Sequence, residues 1–159
     1  MNKVRILVMD VDGTLTDGKI YMGESGELMK AFSIKDGFAI HDLLPQHNII
    51  PVILTGRSSK IIENRARELG ISHVIQGSTN KVEALQKLSE EIGCSLSEVA
   101  YIGDDLGDYD VMKLCGKKGC PNDAVASVRD ICDFVSLYNG GDGAVREFAE
   151  WVILYNEDE

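Results

Sequence analysis

The sequence predicts an α/β fold, a doubly wound, Rossmann-like parallel sheet, and three observations carry that prediction. Short apolar runs rich in β-branched residues alternate with helical patterns from one end of the 159 residues to the other. The runs at 4–9, 49–54 and 99–102 are apolar almost throughout, as strands covered on both faces of a parallel sheet should be. Each run ends in a polar cluster, at the carboxyl edge where open α/β sheets hold their ligands.

The elements follow in order. The first strand stops at Asp10-Val11-Asp12-Gly13-Thr14, whose glycine and threonine turn the chain. Two mixed segments around Gly23-Glu24-Ser25-Gly26 predict a β-hairpin within residues 18–34, a flap over the crevice behind the first strand. Lys35-Asp36-Gly37 opens a helix over 38–44 that Pro45 helps to close. The second strand ends in Thr55-Gly56-Arg57-Ser58; Ser58 is a candidate N-cap for a helix over 59–69, which Gly70 terminates. A short third strand covers 74–76. A helix over 80–92 places Leu85, Leu88 and Ile92 on one face, with Lys81 at its beginning and Gly93 at its end. The fourth strand runs into Gly103-Asp104-Asp105-Leu106-Gly107-Asp108, and a helix over 109–114 follows. Weaker strands are expected near Gly119 and Cys120 and over 134–137, separated by a helix around 125–131. Gly140-Gly141-Asp142-Gly143 reads as a flexible loop before a last helix over 144–155, whose stripe of Ala144, Val145, Phe148, Trp151 and Val152 is core or a subunit contact. Residues 1–159 form a single domain, with 156–159 as a frayed tail.

Composition narrows the function classes. A net charge of −10 argues against nucleic acid and anionic membrane surfaces as partners. The longest apolar runs are too short to span a bilayer, and Asp10 and Asp12 interrupt the N-terminal one before any signal-peptide cleavage site. The four cysteines form no Cys-x-x-Cys pair and read as small buried residues, so a reduced, cytoplasmic location is the default. Two acids in a dry crevice repel each other and are costly to desolvate; a hard divalent cation, normally Mg²⁺, relieves both problems.

Asp10-Val11-Asp12-Gly13-Thr14 resembles the first motif of the haloacid dehalogenase-like phosphohydrolases, and Thr55-Gly56, Lys81 and Asp104-Asp105 follow in that family's order. The resemblance implies that Asp10 is the nucleophile and Asp12 the general acid/base. It further implies that Thr55, the Gly56 amide and Lys81 meet the phosphoryl charge. Mg²⁺ would be held by Asp10, the backbone carbonyl of Asp12, and Asp104, with Asp105 or Asp108 behind them. A carboxylate attacking phosphorus divides hydrolysis into two easier displacements through an aspartyl phosphate. Only 42 residues separate Asp12 from Thr55 and 22 separate Lys81 from Asp104, too few for a cap domain. Capless members of this type resemble tetramers in which one subunit roofs the next one's site, so a homotetramer is implied.

Within that superfamily, residues 12–18, Lys35-Asp36-Gly37 and the stretch 140–147 are similar to the phosphatases of 2-keto-3-deoxy sugar acids. The implied substrate is 3-deoxy-D-manno-octulosonate 8-phosphate; a nine-carbon branch acting on deoxynonulosonate or N-acylneuraminate 9-phosphates is the alternative. Arg57 favours the eight-carbon type, since the nine-carbon branch carries an acid there. Thr14 lies in the same motif as a substrate-side candidate. Arg57, Arg65, Lys35 and Arg146 are candidates to pair with the substrate carboxylate. Two rivals stand outside this class. A phospho-receiver domain would place adjacent acids after the first strand, whereas here they follow the fourth. A catalytically idle domain associated with a cytidylyltransferase would not need the full catalytic set.

Overall fold

A computed structural model describes residues 2–159. After β1 (Ile6–Met9) the chain forms an antiparallel hairpin of β2 (Tyr21–Gly23) and β3 (Gly26–Met29). Helix α1 (Ile34–Phe38) then runs without a break into a π-helical segment (Ala39–Leu43) and a last turn, α2 (Leu44–Gln46). The remainder alternates: β4 (Ile50–Leu54), α3 (Lys60–Glu68), β5 (His73–Ile75), α4 (Lys81–Ile92), β6 (Val99–Ile102), α5 (Leu106–Leu114), β7 (Lys117–Cys120), α6 (Ala126–Ile131), β8 (Phe134–Val135) and α7 (Ala144–Asp158). Six strands make one parallel sheet in the order β5-β4-β1-β6-β7-β8.

β1 occupies the middle because all four of its residues are apolar and fully buried. Alternation along the strands divides the core in two. Leu7, Met9, Ile53 and Ile102 face α3, α7 and the helix after the hairpin, while Ile6, Val8, Val52, Leu54 and Tyr101 face α4, α5 and α6. The predicted stripe on α7 is core: Phe148 is buried against Gly119, and Trp151 stacks on Phe134. All four cysteines are free, and among the described residues no helix is long and apolar enough to cross a membrane.

Several boundaries differ from the sequence expectation, each for a local reason. The helix after the hairpin begins at Ile34, because Ser33 caps it by accepting from the Lys35 amide. Pro45 lies in the last turn of this helix, which ends one residue later at Gln46 and directly follows the π-helical segment. Ser59, not Ser58, caps α3. α5 begins at Leu106 because Asp105 and Asp108 form a reciprocal capping box. The 140–143 segment, expected to be a flexible loop, is packed onto the turn after β1. The Gly141 amide donates to the Thr14 carbonyl at 3.1 Å, and a Cβ on Gly140 would stand 2.0 Å from the Gly13 carbonyl oxygen. The expected tail is helical through Asp158, with the Asn156 side chain bridging the backbone amide and carbonyl of Val4 at 2.7 and 2.8 Å.

Asp36 ties the two helices nearest that turn. Its Oδ1 accepts from the Arg146 amide at 2.9 Å, its Oδ2 has no hydrogen-bond partner, and the Gly143 amide pulls on the carboxylate from nearby, so a buried acid supplies the N-terminus of α7 with a cap that Gly143 lacks. Burial pushes this carboxyl up to about 6, against the pull of those amides. Asp36→Ala should therefore lower stability at pH 7 by about 2 kcal/mol, because the Arg146 amide in the first turn of α7 loses its buried acceptor. Asp36→Asn should cost less than half of that, since its amide oxygen accepts the same bond without a buried charge. Denaturant unfolding of the two variants checks the order; equal losses would contradict it.

Candidate active site

The carboxyl ends of β1, β4 and β6 deliver the predicted residues to one crevice, lined by Asp10, Asp12, Thr55, Lys81, Asp104 and Asp108 together with Gly56 and Arg57. Parallel pairing of β1 with both β4 and β6 brings Met9 level with Ile53 and Ile102. Residues some 45 and 94 positions apart, Asp10 against Thr55 and Asp104, therefore leave the sheet side by side.

Lys81 reaches in from the first turn of α4, whose start is fixed by Asn80 capping the Glu83 amide. Its Nζ lies 3.2 Å from Asp10 Oδ1 and 2.8 Å from Asp108 Oδ1. Asp108 is 1% exposed and saturated. Its Oδ1 also accepts from the Tyr101 hydroxyl at 2.7 Å, and its Oδ2 accepts the amides of Asp104 at 3.1 Å and Asp105 at 3.4 Å. Four bonds occupy the lone pairs of a carboxylate, so Asp108 organises the site and has little capacity left to ligate. Asp104 is held by Thr14 Oγ1 at 3.2 Å. Gly13, at φ +85°, must lack a side chain here, since a Cβ would stand 1.9 Å from Asp104 Oδ2.

The structure therefore alters several predicted roles. Thr14 is fully buried and holds Asp104 rather than facing substrate. Asp105 lines the crevice, but its carboxylate caps α5, accepting from the Leu106 amide at 2.7 Å, and it is not part of the close acidic cluster. Of the four candidate carboxylate-binding cations, only Arg57 lines the crevice. Arg65 sits over the Phe32 ring and pairs with Glu68, beside an interior cavity behind the sheet. Lys35 and Arg146 share a separate surface hollow, where Arg146 pairs with Glu150. Three residues escaped the sequence reading. Lys30, from the end of the hairpin, lies 2.6 Å from Asp12 Oδ1, and Ser78 and Thr79 line the crevice. A lysine in a hairpin strand looks like a solvated one; nothing local marks it.

The electrostatics of the crevice favour a bound cation. Burial, with the charge of Asp108 added and Lys81 opposing, pushes Asp10 up to about 6. Burial, then the charges of Asp10 and Asp108, push Asp104 up to about 8. Burial alone would depress Lys81, yet the surrounding carboxylates outweigh it and hold the ammonium above the ordinary lysine value. Asp10, Asp104 and Asp108 each offer an oxygen within 4.8 Å of the others. Buried oxygens this close, with two of the acids strained toward protonation, fit a hard divalent cation held by Asp10 and Asp104.

Comparison with known proteins agrees with this geometry. Residues 70–148 match the haloacid dehalogenase-like hydrolase family. The 3-deoxy-D-manno-octulosonate 8-phosphate phosphatase of Salmonella typhi is 43% identical over 151 residues, covering 95% of this chain and 80% of that one. This chain belongs to that phosphatase family. Two solved structures related to this member of the phosphatase family superpose closely. The phosphatase from Moraxella catarrhalis, in complex with a magnesium ion, a phosphate ion and KDO, gives a TM-score of 0.92 at 40% identity, covering 98% of this chain and 88% of that one. The cobalt-bound form from Haemophilus influenzae gives 0.93 at 33% identity, with coverages of 98% and 90%. Membership removes the receiver-domain rival, in keeping with the acid pair Asp104-Asp105 following β6 rather than β1.

Raised carboxyl pKa values set a pH-dependent stability. The ordinary value is 3.8, so folded Asp10 up to about pH 6, and folded Asp104 up to about pH 8, hold protons that the unfolded chain releases near pH 4. Their contribution is fully present below pH 4 and is lost as pH rises through 6 and then 8. Thermal melts of chelator-treated protein should show Mg²⁺ raising the Tm by on the order of 5 °C at pH 8 and by much less at pH 5.5. An equal shift at both pH values would contradict this account of the cluster.

Proposed function

We propose that this phosphatase hydrolyses 3-deoxy-D-manno-octulosonate 8-phosphate to the free sugar acid and inorganic phosphate, with Mg²⁺ as cofactor. The observation that carries the chemistry is the placement of Asp10 at the end of the central strand, 3.2 Å from the Lys81 ammonium and within the buried carboxylate cluster. The substrate is supported by 43% identity to the Salmonella typhi phosphatase that bears that name, and by Arg57 at the crevice.

Asp10 attacks phosphorus in line with the leaving sugar oxygen, to which Asp12 gives a proton. Asp12 then takes a proton from the water that attacks the aspartyl phosphate, and phosphate leaves. Lys81 places positive charge beside the nucleophile, where the transferring oxygens gather charge; Thr55 and the Gly56 amide supply hydrogen bonds to them. Asp108 acts through Lys81, which it holds at 2.8 Å. Asp10, Asp104 and the Asp12 carbonyl would hold Mg²⁺, which would supply charge neutralisation at the phosphoryl group. Arg57 is the residue of choice for the substrate carboxylate, because a guanidinium pairs bidentately with it.

The working form we propose is a cytoplasmic homotetramer in which a neighbouring subunit roofs the crevice. Support comes from the hairpin and the helix after it, which expose Met22, Leu28, Met29, Ile34 and Phe38, a run of apolar side chains unusual on a monomer surface. Each protomer is a single domain, with residues 18–34 as its flap.

Steady-state phosphate release with Mg²⁺ tests the proposal, comparing octulosonate 8-phosphate, deoxynonulosonate 9-phosphate and N-acetylneuraminate 9-phosphate. The eight-carbon substrate should give the highest kcat/KM, and Asp10→Asn should lower kcat at least about 10³-fold, as removal of a nucleophile does. A nine-carbon preference would overturn the substrate and leave the chemistry standing. Turnover that survives Asp10→Asn would overturn the chemistry.

A further inference from the structure

The hairpin makes one charged contact inside the crevice. Lys30 follows directly on β3, yet its side chain is only 2% exposed, and its Nζ lies 2.6 Å from Asp12 Oδ1 and 2.9 Å from Glu27 Oε2. An ammonium buried to this degree is tolerable only with close, well-formed counter-charges. Glu27 is one, within the hairpin itself. Asp12 is the other, 18 residues away and on the rim of the sheet. The two oxygens of Asp12 are thereby made unequal: Oδ1 is clamped, while Oδ2 is buried and has no hydrogen-bond partner in the protein.

We propose that Lys30 is a positioning residue for the acid/base, clamping one oxygen of Asp12 so that the other is presented to the leaving-group oxygen. The hairpin is then part of the proton-transfer apparatus as well as a flap, and a displaced hairpin leaves Asp12 unaimed. This inference rests on the phosphatase reading above, in which Asp12 gives its proton to the departing oxygen.

Leaving-group dependence tests it. Phenyl phosphate and p-nitrophenyl phosphate have nearly the same shape and lack a carboxylate, but only the more basic phenolate needs protonation as it departs. Reading kcat/KM confines the comparison to the steps through phosphoryl transfer to Asp10. With Mg²⁺ and the full-length enzyme, Lys30→Met should lower kcat/KM for phenyl phosphate roughly 30-fold, part of the 10²–10⁴-fold that a placed general acid contributes, and for p-nitrophenyl phosphate less than about threefold. Octulosonate 8-phosphate, with an alkyl leaving group, should fall at least as far as phenyl phosphate. Lys30→Arg, which keeps a cation within reach of both carboxylates, should restore most of the loss. Equal losses on the two aryl phosphates would assign Lys30 to phosphate binding or to the fold, and unchanged rates with phenyl phosphate and the sugar phosphate would make the contact a passive ion pair; either overturns the proposal. Failure of the wild-type enzyme to release phosphate from any of the three would instead overturn the phosphatase reading itself.

Discussion

The constraint from which the rest of the site follows is the crowding of buried carboxylates around one ammonium. Asp10, Asp104 and Asp108 bring oxygens within 4.8 Å of one another in the interior of the rim, where mutual repulsion and desolvation both oppose ionisation. Lys81 answers part of that charge by standing between Asp10 and Asp108. Asp108 is satisfied by four protein donors, so the unmet demand falls on Asp10 and Asp104. A divalent cation held there would meet it and would supply positive charge beside Asp10 for a phosphoryl group. Cofactor requirement and catalytic geometry are thus two consequences of one electrostatic arrangement.

Much of the fold exists to hold that arrangement still. β1 is buried on both faces and paired on both edges, so Asp10 has no freedom of register. The turn after it is clamped from two sides. Gly13 lets Asp104 approach from β6, and the packed 140–143 segment closes over the Gly13 carbonyl from the far end of the chain. Asp36 in turn anchors the helix that follows that segment. Residues distant from the chemistry therefore bear on it through rigid packing rather than through contact with substrate.

The fold was largely legible in the sequence because parallel strands buried on both faces leave a plain signature, and because each one ends in residues that a core cannot hold. Asp10, Asp12, Thr55, Lys81 and Asp104 were legible for the same reason: their positions at strand ends and a helix start place them at one rim. What could not be read was the partner of each side chain. Thr14 and Asp105 lie within motifs but serve Asp104 and the α5 cap, a distinction that depends on which way a side chain points. Arg65 and Arg57 are indistinguishable as cations, yet only Arg57 lines the crevice, while Arg65 lines a cavity with Phe32, Ile40 and Ile62. Lys30 carried no local signal, since its burial arises from the way the hairpin folds back on the rim. The 140–143 segment looked mobile from its glycines, which are there for close packing.

The central claim is that the Asp10 carboxylate becomes covalently phosphorylated. Rapid quenching of the Mg²⁺ enzyme with radiolabelled octulosonate 8-phosphate, followed by peptide mapping, tests it most directly. The account predicts a transient label on the peptide holding Asp10, removed by hydroxylamine as an acyl phosphate is, and absent in Asp10→Asn. A label on another residue, or product formation with no labelled protein during the first turnover, would contradict it.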